Sequence, residues 1–173
     1  MTGPPTPPAP DGPLQLWLSS DEPDEVALML SFSDPDDSAL PMLDPDHVTR
    51  VLGIRPTSTA RRGEVPERYF PRPARHNLWS FGGERMRTPP LGEQVRQLLA
   101  KLPPPGPVWD QLRSWKGELH CAMYLEFWNR ECRLPPDVLA AIASRHLELR
   151  LDMYFVHEEP GDPDDGLDKD EPS

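Results

Sequence analysis

The sequence predicts an α+β domain: a mostly antiparallel sheet of about five strands with helices packed on one face, in the order β-α-β-β-α-α-β-α-β. Three observations point there. Residues 26–33, 119–128 and 147–155 alternate apolar with smaller or polar side chains, the two-residue period of a half-buried strand. Residues 91–102 place Leu91, Val95, Leu98, Leu99 and Leu102 at helical spacing. Between these segments, prolines and glycines stand where helices start and stop.

In chain order, the first strand is residues 26–33, VALMLSFS, with Val26, Leu28, Leu30 and Phe32 on one face. Residues 14–18, LQLWL, either dock as an edge strand or stay in loose contact, and loose contact is the favoured expectation. A short helix follows, with Asp44 as its cap, Pro45 at its first position and Asp46 at the positive end of its dipole. Val48, Val51 and Leu52 form its buried stripe, and Gly53 ends it in a left-handed conformation. Two short strands are expected near residues 58–62 and at 77–81, with Leu78, Trp79 and Phe81 partly buried and Gly82-Gly83 turning the chain.

The helix at 91–102 stops at Pro103-Pro104-Pro105, and a second short helix spans 108–115. In the strand at 119–128, Leu119, Cys121, Met123, Leu125 and Phe127 face one way. His120, Ala122, Tyr124, Glu126 and Trp128 face the other. A helix at 134–146 with prolines at its start leads to the last strand, whose apolar face is Leu147, Leu149, Leu151, Met153 and Phe155.

Charge divides the 173 residues into three parts. The chain carries −11 and 25 prolines, with a pI near 4.8 and a mean hydropathy of −0.62. Residues 1–25 hold five acids and no base, and residues 157–173 hold eight acids against Lys169. The interval 26–156 is left at +1, so the acidity belongs to the ends. Two disordered, proline-rich, acidic segments (1–25 and 157–173) are expected to flank one domain at 26–156. The first ten residues lack a basic and an apolar region, so no signal peptide is expected. Two cysteines, Cys121 and Cys132, are too few for a disulfide-stapled secreted fold. Cytoplasm is the expected compartment, and fifteen arginines against three lysines suit a GC-rich bacterial genome.

Candidate chemistry is sparse. The five histidines show no His-x-x-x-His spacing and the cysteines no Cys-x-x-Cys spacing, so no metal and no cofactor are expected. The acidic run from Asp162 has glycine at its fifth rather than sixth position and no helix before it, so it is no calcium loop. No nucleophile elbow or phosphate-cradling motif occurs. Glu126 and Asp152 could meet on one sheet face, although an arginine such as Arg150 is the commoner neighbour for such a group. The balance leans against an enzyme.

Two features carry binding potential. Nine arginines between residues 50 and 88 against three glutamates leave +6 there. Arg61, Arg62, Arg68, Arg72 and Arg75, with Trp79 and Tyr69 for stacking, could meet an anion or nucleic acid. The plainer alternative is that these charges balance the acidic ends and the Asp-rich loop at 34–46. The second feature is an aromatic row on the strands' outer face (His120, Tyr124, Trp128, Tyr154), suited to a protein interface if that face is open and ordinary secondary core if a helix or the N-terminal segment covers it.

The motifs Asp44-Pro-Asp-His-Val-Thr-Arg-Val-Leu-Gly-Ile-Arg-Pro-Thr57, Arg61-Arg-Gly-Glu64, the isolated Trp79, the amphipathic Leu91–Leu102 helix, Leu134-Pro-Pro-Asp-Val-Leu139 and Leu151-Asp-Met-Tyr154 follow in a characteristic order. Together they resemble the bacterial domain-of-unknown-function family 4279 across residues 26–156. The resemblance implies a compact α+β domain, no catalytic set, and a neighbourhood that includes toxin-immunity proteins. The Arg/Pro-rich stretch between Glu64 and Trp79 and both ends depart from the family's core. The expectation is a non-catalytic protein-binding module, immunity- or antitoxin-like, whose partner is another protein rather than nucleic acid or a membrane. The alternative is a regulatory domain that binds an anionic ligand or nucleic acid through the Arg-rich loop.

Overall fold

A computed structural model describes residues 23–35, 39–65, 72–126 and 130–156. Most of both proline-rich ends, the segment 14–18, and Arg68, Tyr69 and Trp128 lie outside the described residues. The elements are β1 (Glu25–Ser33), α1 (Pro45–Leu52), β2 (Ser58–Ala60), β3 (Leu78–Met86), α2 (Leu91–Leu99), α3 (Pro107–Asp110), β4 (Lys116–Leu125), α4 (Pro136–Ala143) and β5 (Glu148–Phe155). Their order is the one the sequence predicts.

The strands make one five-stranded sheet in the order β2-β3-β1-β4-β5, with β1 at its centre. All pairings are antiparallel except β4 with β5, which the α4 crossover makes parallel. Val26, Leu28, Leu30 and Phe32 of β1 and Leu119, Cys121, Met123 and Leu125 of β4 turn to the same side. There they join Val48, Leu52, Val95, Leu99, Trp109, Val138 and Ile142 from the four helices in one core. One sheet face therefore carries the helices, as the single apolar face of each strand requires.

The caps form as the residues dictate. Asp44 accepts a hydrogen bond from the Asp46 amide, Pro45 opens α1, and Gly53 closes it at φ 69°. Asp34 ties three loops together by accepting from the amides of Leu43 and Asn77, each at 2.8 Å. Trp79 lies deeper than its sequence context suggests. It is fully buried, edge-on to Phe32 at 6.0 Å, and its indole nitrogen donates to Thr49 Oγ1 at 3.0 Å.

Two expectations need correction. Gly82-Gly83 does not turn the chain; both glycines lie inside β3, where the register against β1 slips between Met29 and Ala27. Both have positive φ (92° and 98°), the geometry of a bulge that lets the strand continue after a kink. The apolar face of β5 is also not wholly covered. Leu147 is buried and Leu149 packs against the core, but Leu151, Met153 and Phe155 are 44, 64 and 52 % exposed.

These glycines make a graded test. A Cβ at Gly82 would stand 2.5 Å from the Leu28 carbonyl oxygen, whereas one at Gly53 meets nothing within 4 Å. Gly53→Ala should cost about 1 kcal/mol from its left-handed backbone alone. Gly82→Ala adds a backbone clash and should cost about 3 kcal/mol or more. Urea unfolding midpoints will rank the two; equal losses would disprove the close approach of β3 to β1.

Candidate functional site

The side of the sheet away from the helices is built by the odd residues of β1 and the even residues of β4 and β5. Tyr124 and Tyr154 are lateral neighbours in the parallel ladder. Their rings stack with centroids 5.2 Å apart and an interplanar angle of 18°. The Arg85 guanidinium lies 3.7 Å above the centre of the Tyr124 ring, a cation–π contact. Glu25 stands beside this group, with its carboxylate 3.9 Å from Arg85 and 3.1 Å from Arg87. The result is a short layered stack across β3, β4 and β5, with Tyr154 exposed at its end.

A second cluster sits further along the same face. His120 meets Asp152 at 2.8 Å, and Arg150 reaches Asp152 at 3.0 Å and Glu118 at 3.9 Å. Burial pushes the Asp152 carboxyl up, but the hydrogen bonds from Arg150 and His120 outweigh it and hold the group below its ordinary range. Asp152 thus pairs with Arg150 and His120. Glu126 lies about 13 Å along the strand direction from Asp152's neighbour Ala122, so the two carboxylates do not form a catalytic pair.

The end of β1 is anchored by Asp24. Its carboxylate accepts from the Glu126 amide at 2.8 Å and from Arg130 at 2.7 and 3.2 Å. Burial raises this carboxyl, yet the Glu126 amide and the Arg130 guanidinium together lower it below its ordinary value of 3.8.

The residues singled out from sequence separate into two places. Tyr124 and Tyr154 come together on the outer face. Trp79 points to the opposite, helix-covered side and is fully buried, so its ring has no face left for a ligand. Arg61 follows β2 at the far edge of the sheet and is committed to Asp46 at 2.6 Å and Asp44 at 3.9 Å. Arg62 is exposed and, among the described residues, makes no ion pair; its amide donates to Asn77. Trp128 lies outside the described residues. Sequence reasoning missed Arg85 and Glu25, because the bulge that sets Arg85 against the tyrosines is not visible in an alternation pattern.

Little here suits covalent chemistry. Cys121 is fully buried, and burial pushes its thiol up to about 12, so it stays protonated and inert at neutral pH. Among the described residues, no cluster of three His, Cys, Asp or Glu could hold a metal ion. A cleft of about 280 Å³ opens between the start of β1 and α2, lined mainly by Val26, Pro89, Pro90, Leu91 and Gln94. Its acid, Asp24, is already paired with Arg130. No helix among the described residues is long and apolar enough to cross a membrane.

Two solution measurements check this geometry. Because the folded Asp24 value is depressed, its contribution to stability is complete above pH about 3.8 and is lost as the pH falls through the lower folded value. Asp24→Asn should therefore cost about 1–3 kcal/mol at neutral pH, with the gap to wild type closing in that acid window. Thiol titration of the native protein should find at most one reactive cysteine, Cys132, and two after unfolding. Rapid native labelling of Cys121 would contradict its burial.

The family model described as "Domain of unknown function (DUF4279)" matches residues 22–156. No curated protein and no solved structure matches the chain significantly. That match takes in every described helix and strand, including the stack of Arg85, Tyr124 and Tyr154, and on it the chain belongs to the DUF4279 family.

Proposed function

We propose that the chain is a non-catalytic protein-binding module of the bacterial cytosol, of the immunity or antitoxin kind, that uses the outer face of its sheet. The observation that supports this reading most is the Arg85–Tyr124–Tyr154 stack beside an uncovered β5. Stacked tyrosines on a sheet are already ordered, so a partner that lands on them loses little side-chain entropy. Arginine and tyrosine are also the residue types that anchor interfaces.

The reading that an anion or nucleic acid binds through the Arg-rich loop has less to support it. Arg61 is neutralised by the α1 acids, and Trp79 offers no stacking surface.

The test is a comparison of Tyr124→Ala/Tyr154→Ala with Arg61→Ala/Arg62→Ala. Tagged full-length chains would be used to capture partners from a native bacterial lysate. The tyrosine variant should lose its specific partner by tenfold or more, the arginine variant should keep it, and binding should persist between about 50 and 200 mM salt. Tight retention of the wild type on heparin, abolished by the arginine variant, would instead establish the anionic ligand.

A further inference from the structure

We propose that β5 is a self-association edge, and that two copies of this chain join through it as antiparallel strands centred on Leu151. The two edges of the sheet differ. β2 is three residues long, as short edge strands that resist pairing usually are. β5 is eight residues long, contains no proline or glycine, and exposes Leu151, Met153, Tyr154 and Phe155. Half of its backbone amides and carbonyls point away from β4, as in any edge strand.

Charge selects both the partner and the register. In an antiparallel pair, directly opposed residues share a face. Centring the two-fold on Leu151 sets Arg150 against the partner's Asp152 and Asp152 against the partner's Arg150. On the other face it sets Leu149 against Met153 and Leu147 against Phe155. Moving the centre by one residue gives like charges instead: Asp152 meets Asp152, or Arg150 meets Arg150. Only the Leu151-centred register of these three satisfies both faces, and it pairs nearly the whole of β5.

Seven residues a side of β5 pair in this register, few beside the roughly 20–30 residues a side of a standard interface. The expected dimer is accordingly a concentration-dependent equilibrium.

The experiment uses the full-length chain. Sedimentation equilibrium should show reversible dimerisation. Arg150→Asp should weaken it about tenfold or more, and Arg150→Asp/Asp152→Arg should restore it, because the double exchange rebuilds the crossed pairs. In a Cys132→Ser background, Leu151→Cys should cross-link to its own counterpart on mild oxidation, since opposed Cα atoms lie about 4.5–5.5 Å apart. Glu148→Cys should not, because its counterpart stands about 20 Å away. Circular dichroism would confirm that each variant folds.

A chain that stays monomeric at every concentration overturns the proposal. If the monomer's β5 amides are also protected from exchange, a flanking segment of the same chain is the occupant. A dimer in which Leu151→Cys fails to cross-link overturns it equally. Neither result touches the tyrosine-dependent capture described above, so the two readings fail independently.

Discussion

Strand β1 is held between two neighbours that each approach it through a glycine. On one side, Gly82 of β3 comes so close to Leu28 that a Cβ there would lie 2.5 Å from the carbonyl oxygen. On the other side, a Cβ at Gly117 of β4 would lie 2.8 Å from the Phe32 ring and 3.0 Å from Leu147. These contacts hold β1 in register, and a shift of one residue would also turn its core residues outward. The Gly82 bulge also decides chemistry on the outer face. Continuing the register of Met29 with Gly82 would bring Glu84 opposite Ala27; the slip brings Arg85 there instead. A cation, not a carboxylate, therefore lies over the Tyr124 ring, whose negative face attracts it.

The arginine-rich interval shows why a run of like charge in sequence need not become a charged surface. Arg61 folds back on Asp46 and Asp44 at the start of α1, and Arg50 reaches the same Asp44 at 3.8 Å. Arg85 and Arg87 share Glu25. The acids come from two of the sources that charge balance suggested, the loop at 34–46 and the acidic segment 1–25, whose last residue, Glu25, opens β1. Each such exposed pair contributes little stability, about 0–1 kcal/mol, but together they disperse the +6 of residues 50–88 over the surface.

The element order, the α1 caps and the core faces of β1 and β4 were legible because each rests on local chemistry: a two-residue period, a capping aspartate, a proline stop. What escaped depends on contacts between distant parts of the chain. Trp79 reads as partly buried from its local sequence, yet Thr49 supplies the acceptor that lets the whole indole enter the core. Gly82-Gly83 carries the composition of a turn, and only the neighbouring strand shows that it is a bulge. The Tyr124–Tyr154 stack was half legible. Alternation placed both rings on the outer face, but a parallel register between β4 and β5 is what sets them side by side.

The uncovered part of β5 follows from a mismatch of lengths. The chain leaves β4, passes through α4 and returns as a parallel strand, so α4 is the helix laid nearest to β5. An eight-residue helix spans about 12 Å, whereas an eight-residue strand spans about 26 Å. Val138 and Ile142 of α4 are buried in the core, which Leu147 and Leu149 at the near end of β5 also join. Leu151, Met153 and Phe155 lie past the helix's reach. Lengthening α4 by two turns could cover them, yet Pro135 and Pro136 fix where it begins. The apolar strip and the stacked tyrosines thus occupy opposite faces of the far half of β5, which is an edge strand among the described residues.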